Sequence, residues 1–296
     1  MKTLRSLWMA VALSAATVTG AYAQTEASAD PALDLTVYNA DAGSFHVNSV
    51  LVTGEQDAVL IDAQFSRAHA HRVVAEILDS GKNLTTVYVS HGDPDYYFGL
   101  EVIKAAFPQV EIYASQPTID WINNTVEKKV AFWGPKMGTN APDRPIIPQL
   151  LPKQGLSLEG KALEVKGLDS DYPGRSYVWI PAIKAVVGGV NVYSDLHLWV
   201  ADAQSKADRQ GWMTVLEGIE ALQPKQVIPG HANAGAPRGL AAVNFTKDYL
   251  QRFETELDRS ADSSVLIESM QGLYPDAGLG IALQIGAKVT KGEMKW

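Results

Sequence analysis

The distribution of hydrophobic and polar positions divides the chain into alternating strands and helices. Short runs of Val, Leu and aromatic residues, separated by Gly, Asp and Asn, predict three consecutive strands: "LDLTVYNA", "FHVNSVLVTG" and "DAVLIDAQF". "RAHAHRVVAEILDSG" has apolar positions at helical spacing and ends in a glycine, so we expect a helix. A buried strand "LTTVYVS", a helix "GLEVIKAAFP" and a strand "VEIYAS" follow. This order indicates an α/β arrangement with functional loops at strand ends.

The segment from about 117 to 150 has a different pattern. It begins as an amphipathic helix and then breaks into a Gly/Pro-rich stretch that contains Trp133, Pro135 and Met137. A long irregular segment inside a compact domain is commonly a lid or a binding loop. We therefore predict an insert that covers part of a site.

The second half of the chain repeats the order of strands followed by helix. Strands resume in "LSLEGKALEVKGL" and "SYVWIPAIKAVVGG", a helix is predicted from about 209 to 222, and "QVIPGHA" predicts another strand. A helical region from about 243 to 296 ends the sequence. We predict one domain over 24–296, built from two similar halves.

The first 23 residues have the plan of a secretory signal peptide. Lys2 and Arg5 precede an apolar stretch, and Ala21 to Ala23 form a small-residue cleavage site. The apolar stretch is shorter than the about 20 residues that span a bilayer, so stable membrane insertion is not expected. Removal of 23 of the 296 residues, including Lys2 and Arg5, leaves 273 and changes the formal net charge from −8 to −10. We expect a periplasmic or secreted protein.

Composition narrows the chemistry of any site. An acidic protein lacks the basic surface that nucleic acid requires, so no nucleic-acid partner is expected. The chain contains no cysteine, which excludes disulfides and thiolate ligands. A metal ion would therefore be held by histidine and carboxylate.

One loop concentrates such groups directly after a buried strand. In "VSHGDPDYYFGL", His91, Asp93, Asp95 and Tyr96 lie within six residues. The two carboxylates have an ordinary interpretation, because Asp and Pro favour turns and Asp caps helices. The same residue types at alternate positions also suit a metal site, and the loop alone leaves both interpretations open.

Five segments resemble, in order, the motifs of the metallo-β-lactamase superfamily. These segments are "VLIDAQF", "VYVSHGDPDYYFGL", "SDYPGRSYVWIP", "AVVGGVNV" and "VIPGHA". The resemblance runs from about 35 to 255. It implies a four-layer αββα sandwich of the α+β class, with the site at one edge between two similar halves.

The resemblance also implies a ligand set, which is altered in this chain. The family loop His-x-His-x-Asp-His reads here as an altered version in which two histidines have become Asp93 and Tyr96. Asp171 stands in the place of a ligand histidine, and Val190 in the place of the aspartate that bridges two metals. The set of metal ligands implied by this comparison is His91, Asp93, Asp95, Asp171 and His231.

With the bridging carboxylate replaced by valine, we expect one divalent ion at most. Zinc follows from the family, and the oxygen-rich ligand set makes manganese or iron the alternatives. A bound water made acidic by the ion would attack a carbonyl or phosphoryl centre. Asp95 is the candidate catalytic residue that receives the proton, and Tyr96 or Tyr172 the candidate donor to the developing oxyanion.

Four further residues are assigned supporting roles. Asp62 is expected beside the site, where it would orient the metal ligands without binding the metal itself. Trp133, Tyr172 and His197 are candidate substrate contacts, although aromatic residues such as Trp133 more often pack in a core.

Two functions remain open from the sequence. The first is an exported metal-dependent hydrolase that acts on a small ester, lactone, amide or phosphoester. The second is a catalytically silent protein of this fold that binds a small ligand or a partner in the same cleft. The altered ligands favour the second, whereas buried carboxylates, which are costly unless paired, favour the first.

Overall fold

Two β-sheets form the centre of the fold. The computed structural model describes residues 32–170, 172 and 174–296, so the predicted signal peptide and Asp171 lie outside the described residues. The first sheet has the strand order β1-β2-β3-β4-β5-β6, with β1 to β3 antiparallel and β3 to β6 parallel. Its strands are β1 (Asp34–Asn39), β2 (Asn48–Thr53), β3 (Asp57–Ile61), β4 (Asn83–Val89), β5 (Glu111–Ala114) and β6 (Gln149–Leu150).

The second sheet comes from the second half of the chain. Its order is β12-β10-β9-β8-β7, and a separate two-stranded sheet pairs β11 with β13. These strands are β7 (Leu156–Leu158), β8 (Lys161–Lys166), β9 (Tyr177–Ile180), β10 (Ala185–Val187), β11 (Tyr193–Ser194), β12 (Gln226–Val227) and β13 (His231–Ala232).

Eight α-helices accompany the sheets in the part of the chain that the structure describes. Three lie in the first half before a long fourth one, and four follow β11. They are α1 (Arg67–Asp79), α2 (Pro94–Tyr97), α3 (Leu100–Ala106), α4 (Gln116–Met137), α5 (Lys206–Ala221), α6 (Leu240–Arg259), α7 (Ser263–Leu273) and α8 (Gly280–Thr290).

Strands buried on both faces explain the apolar runs in the sequence. Every residue of β2 is buried. Because successive side chains of a strand point to opposite faces, Val50 and Val52 pack in one cluster with Val178 and Ile180 of the second sheet. Leu51 packs in the other cluster, which contains the buried residues of the helices. The predicted four-layer sandwich is confirmed.

Helix α4 differs from the predicted irregular segment. The break expected near Trp133 is wrong, because the helix continues through Pro135 to Met137. A proline removes one hydrogen bond inside a helix, and here it stands only two residues from the end. Trp133 also packs edge-on against Phe45 and Phe65, with ring centroids 5.2 and 5.6 Å apart, which anchors this last turn.

Two glycines allow close backbone approach around the loops at the sheet edge. A Cβ at Gly99 would lie 1.9 Å from the carbonyl oxygen of Ala63, and one at Gly230 would lie 2.1 Å from that of Gly189. Neither position has room for a side chain. The loops after β3, β10 and β12 are therefore held against their neighbours by backbone contact.

Among the described residues, no helix combines the length and the apolar character that crossing a membrane requires.

Candidate functional site

The loop that follows β4 is anchored by Asp62, which lies just after β3. The Ser90 amide donates to Oδ1 of Asp62 at 2.8 Å, and the Ser90 hydroxyl donates to Oδ2 at 2.7 Å. Asp62 is only 1 % exposed, and this burial raises its pKa to about 7 despite the two hydrogen bonds from Ser90. Asp62 thus fixes the residue immediately before His91.

Asp93 forms a buried ion pair with a lysine from helix α4. Lys129 Nζ lies 3.3 Å from Oδ1 of Asp93, and the Trp121 indole N–H lies 3.4 Å from the same oxygen. On its other side, the Asp93 amide donates to Nδ1 of His91 at 3.3 Å. The positive charge beside Asp93 therefore comes from the protein itself.

Asp95 and His231 form a second pair, joined to Tyr96. His231 Nε2 lies 3.3 Å from Oδ2 of Asp95 and 2.9 Å from the Tyr96 hydroxyl. His231 Nδ1 lies 2.8 Å from the carbonyl oxygen of Phe45, which only accepts hydrogen bonds, so Nδ1 carries the proton. Nε2 of the neutral ring is then the acceptor for the Tyr96 O–H.

Protonation states follow from burial and from Lys129. Burial alone would raise the pKa of Asp93, but the charge of Lys129, the neighbouring His91 and the hydrogen bonds from Lys129 and Trp121 together outweigh burial and lower that pKa below its usual range. Burial and the neighbouring charge of Asp93 raise the pKa of Asp95 well above its usual value. Burial lowers the pKa of His91 and of His231 to about 4. At neutral pH both imidazoles are therefore neutral, Asp93 is held in its charged form, and the equilibrium of Asp95 is shifted toward the protonated acid.

Three of these groups, Asp93, Asp95 and His231, line a small inner cavity of about 30 Å³. That volume has room for one or two water molecules. Lys129 and several aromatic and apolar side chains also line it, namely Phe45, Phe65, Trp133, Val190, Tyr193, Trp199, Leu279 and Trp296.

A larger groove lies outside this cavity. Its volume is about 570 Å³, within the range of small-molecule sites. Lys129, Trp296 and Phe132 line it, and Lys129 and Trp296 also line the inner cavity. Lys129 Nζ lies 4.9 Å from the centre of the Trp296 ring. These two residues therefore lie between the groove and the inner cavity.

A family model for the metallo-beta-lactamase superfamily matches residues 42–231. The chain belongs to the metallo-β-lactamase superfamily. The match covers more than half of the sequence and includes the loops that carry His91, Val190 and His231. The superfamily has a hydrolase-type fold and generally binds divalent metal ions, often zinc.

Solved structures similar to this superfamily member are metallo-β-lactamases of low sequence identity. The DIM-1 enzyme is 18% identical, with a TM-score of 0.49, over 74% of this chain and 93% of its own. TMB-1 is 18% identical, with a TM-score of 0.48, over 74% and 97%. The enzyme from Pontibacter korlensis is 17% identical, with a TM-score of 0.48, over 74% and 95%. No curated protein matches the chain significantly.

The described residues do not fit the metal site of the superfamily. A histidine ligand needs a free lone pair, but Nε2 of His231 accepts from Tyr96 and Nδ1 of His91 accepts from the Asp93 amide. Asp93 is neutralised by Lys129, and Asp95 Oδ2 lies 3.3 Å from His231 Nε2. Within the described part of the chain, no three His, Asp or Glu side chains form a group that could hold a metal ion.

Three predicted site residues have other surroundings. His197 does not line this cavity, because its amide donates to Gly278 and its Nδ1 lies 2.9 Å from the hydroxyl of Tyr249 on α6. Its predicted contact with substrate is not supported by this position. Tyr172 donates to the carbonyl of Asp202 at 2.8 Å and lines a neighbouring cavity. Asp171 lies outside the described residues.

Sequence reasoning missed the residues that change the character of this site. Lys129 lies on α4, 36 positions after Asp93, and nothing in its local sequence distinguishes it from the adjacent Lys128. Trp296 and Asp202 were not considered either. Arg175 had one usable indication, because it stands inside a quoted family motif as a charged residue next to a buried strand.

Proposed function

We propose that this protein is a metal-independent member of the superfamily, which binds a small ligand in the groove next to the position where relatives hold their metal ions. The observation that carries this proposal is the Lys129–Asp93 pair, 3.3 Å apart. The lysine ammonium supplies the positive charge next to Asp93. The two carboxyl groups and two imidazoles are then satisfied by partners within the protein.

Burial explains why this compensation matters. Asp93 and Lys129 have side chains that are 10% and 13% exposed. A buried carboxylate without a partner costs several kcal/mol, on the order of the penalty for any desolvated ion. Lys129 removes that cost, and the charge of Asp93 raises the pKa of Lys129 although burial alone would lower it. The pair is stable in its charged form without a further ion.

The proposed ligand site is the 570 Å³ groove that adjoins the inner cavity. Its apolar wall contains Trp121 and Phe132, which are 39% and 40% exposed, together with Trp296. Lys128 and Lys295 also line it. Concave sites with aromatic walls and a few charged groups are typical of small-molecule binding. We propose a small-molecule ligand in this groove and, from the first 23 residues, a periplasmic or secreted location.

A second candidate is the metal-dependent hydrolase. The observation that favours it is the protonation state of His91 and His231, both of which are neutral at pH 7, as metal ligands must be. Lys129 would have to leave Asp93 for an ion to replace it. A lysine side chain is flexible, so this candidate differs from the first in a measurable quantity, the metal content.

Elemental analysis of the mature protein separates the two candidates. The protein is purified without chelator from its own compartment, soaked in zinc or manganese and washed, beside an Asp93→Ala/His231→Ala variant. Metal independence predicts equal, substoichiometric metal in both proteins. One ion per chain in the wild type and none in the variant would overturn the proposal and establish the hydrolase candidate, to be tested on esters, lactones and phosphoesters.

A further inference from the structure

Arg175 is a buried cation beside the site. Its side chain is 2% exposed, and its guanidinium carbon lies 3.6 Å from the centre of the Trp212 ring. The Tyr172 ring lies on it at 5.1 Å, and Nη1 donates to the carbonyl of Val190 at 3.1 Å. The buried Nε has no hydrogen-bond partner among the described residues. No carboxylate within the described ranges forms an ion pair with Arg175.

Asp202 is the acidic group that shares a cavity with Arg175, and its oxygens already have partners. Oδ1 accepts from the Trp296 indole at 2.7 Å, and Oδ2 accepts from the Trp199 indole at the same distance. Burial, and the charge of Asp93, raise the pKa of Asp202 to about 7, although Lys129 and Arg175 oppose the shift. Asp202 is therefore only partly charged at neutral pH and does not neutralise Arg175.

A cavity of about 50 Å³ adjoins Arg175. His91, Thr118 and Tyr172 line it together with Trp121 and Asp202. A cavity of about 10–15 Å³ already holds one water, so this cavity has room for the three heavy atoms of a carboxylate group.

We propose that this cavity binds the carboxylate of a small organic acid, with Arg175 as its counter-ion. A carboxylate matches the planar guanidinium, because its two oxygens accept two parallel N–H bonds from one edge of the group. Among the described residues Nε has no acceptor, so the guanidinium group beside this cavity has donor capacity left. The inference rests on the proposed function in one respect, that the ligand occupies this cleft, and it names the chemical class of that ligand.

The remainder of the acid extends into the outer groove. Trp121 and Asp202 line both the cavity at Arg175 and the 570 Å³ groove, so the two spaces are adjacent. The exposed faces of Trp121 and Phe132 then contact an apolar or aromatic body. A ligand with one carboxylate and an apolar body satisfies both regions.

The test measures binding of acetate, the smallest probe with this headgroup and a carbon body. Isothermal titration calorimetry and the melting temperature are followed in sodium acetate and in sodium chloride of equal ionic strength. Wild-type protein is expected to bind acetate with one site and to melt at a temperature that rises with acetate but not with chloride. Arg175→Met is expected to bind acetate at least ten-fold more weakly.

Two further variants keep the test decisive. Arg175→Lys retains the charge but loses the planar fork, so its acetate affinity is expected to fall while the protein stays folded. Arg209→Lys changes a buried arginine that is already paired with Glu254, and its acetate affinity is expected to stay at the wild-type value.

Equal acetate binding by the wild type and Arg175→Lys, or no binding by the wild type, would overturn the inference. This result is independent of the metal content. A protein that binds one metal ion and also binds acetate through Arg175 refutes the proposed function and keeps the carboxylate site. A protein that contains no metal and does not bind acetate would refute only the carboxylate site.

Discussion

Two buried arginines in this protein have opposite surroundings. Arg209 on α5 is 4% exposed and forms an ion pair with Glu254 on α6. Its Nη1 also donates to the carbonyls of Ala203 and Gln204, both at 2.8 Å. Arg175 is buried to the same degree, but it has one carbonyl acceptor and two aromatic faces.

The difference separates a structural charge from one that is available to a ligand. Arg209 joins two helices, and every contact it makes is internal. Arg175 keeps an unsatisfied donor beside a cavity, which is a costly arrangement unless another charge enters. Lys129 is the intermediate case, because it is buried beside the cleft and its partner Asp93 belongs to the same chain.

The largest effect is expected from Arg209→Met. The substitution leaves Glu254 without its counter-ion and two carbonyls without a donor, so the free energy of unfolding should fall by about 3–5 kcal/mol. Arg175→Met should stay within about 1 kcal/mol of wild type in chloride buffer, because it removes a buried charge that no described carboxylate pairs with, together with the hydrogen bond to the Val190 carbonyl. Urea unfolding at pH 7 measures both. Similar losses in the two variants would mean that Arg175 is structurally compensated as well.

A smaller loss is expected from Lys129→Met. Asp93 would keep the weak hydrogen bond from Trp121 and the nearby His91 ring, so the free energy of unfolding should fall by about 3 kcal/mol or less. Adding Asp93→Asn to this variant should restore most of the loss. The measurement is again urea unfolding, with the single and double variants compared.

The same variant tests whether Lys129 replaces a metal ion. Without the lysine, manganese or zinc should raise the melting temperature of Lys129→Met while leaving the wild type unchanged. An equal rise in both proteins would show that an ion reaches Asp93 in the presence of Lys129, which contradicts metal independence.

The smallest effect is a pH dependence that arises at Asp62. Its pKa in the folded protein is raised to about 7, so its contribution to stability is complete at low pH and is lost as pH rises toward 7. Asp62→Asn has no such loss. Between pH 5 and 7 the stability of wild type relative to the variant should therefore fall, by about 2 kcal/mol. Unfolding curves at several pH values measure this difference, and a difference that does not change with pH contradicts the raised pKa.

Sequence pattern alone determined the elements and the family. The apolar runs in β2 and β4 and the helical spacing of apolar residues in α1 reflect burial of these elements. Burial of one face or of a whole strand produces a regular pattern of apolar positions in the sequence. The motif order placed His91, Asp93, Asp95 and His231 at one edge, and they do lie in two adjacent pairs. The continuous α4 was mispredicted, because the packing of Trp133 against Phe45 and Phe65 holds the last turn although Pro135 removes one hydrogen bond from it, and sequence alone does not show that packing.

Tertiary structure decided what this edge can do. The charge of a buried carboxyl depends on which cation is within a few ångströms in a medium of low dielectric, and sequence separation does not reveal that distance. Lys129 reaches Asp93 from another helix, His197 turns toward Tyr249, and Arg175 is left with aromatic neighbours. The motifs therefore located the cleft, whereas only the packing of α4 and of the Arg175 loop set its charge and the ligand that it suits.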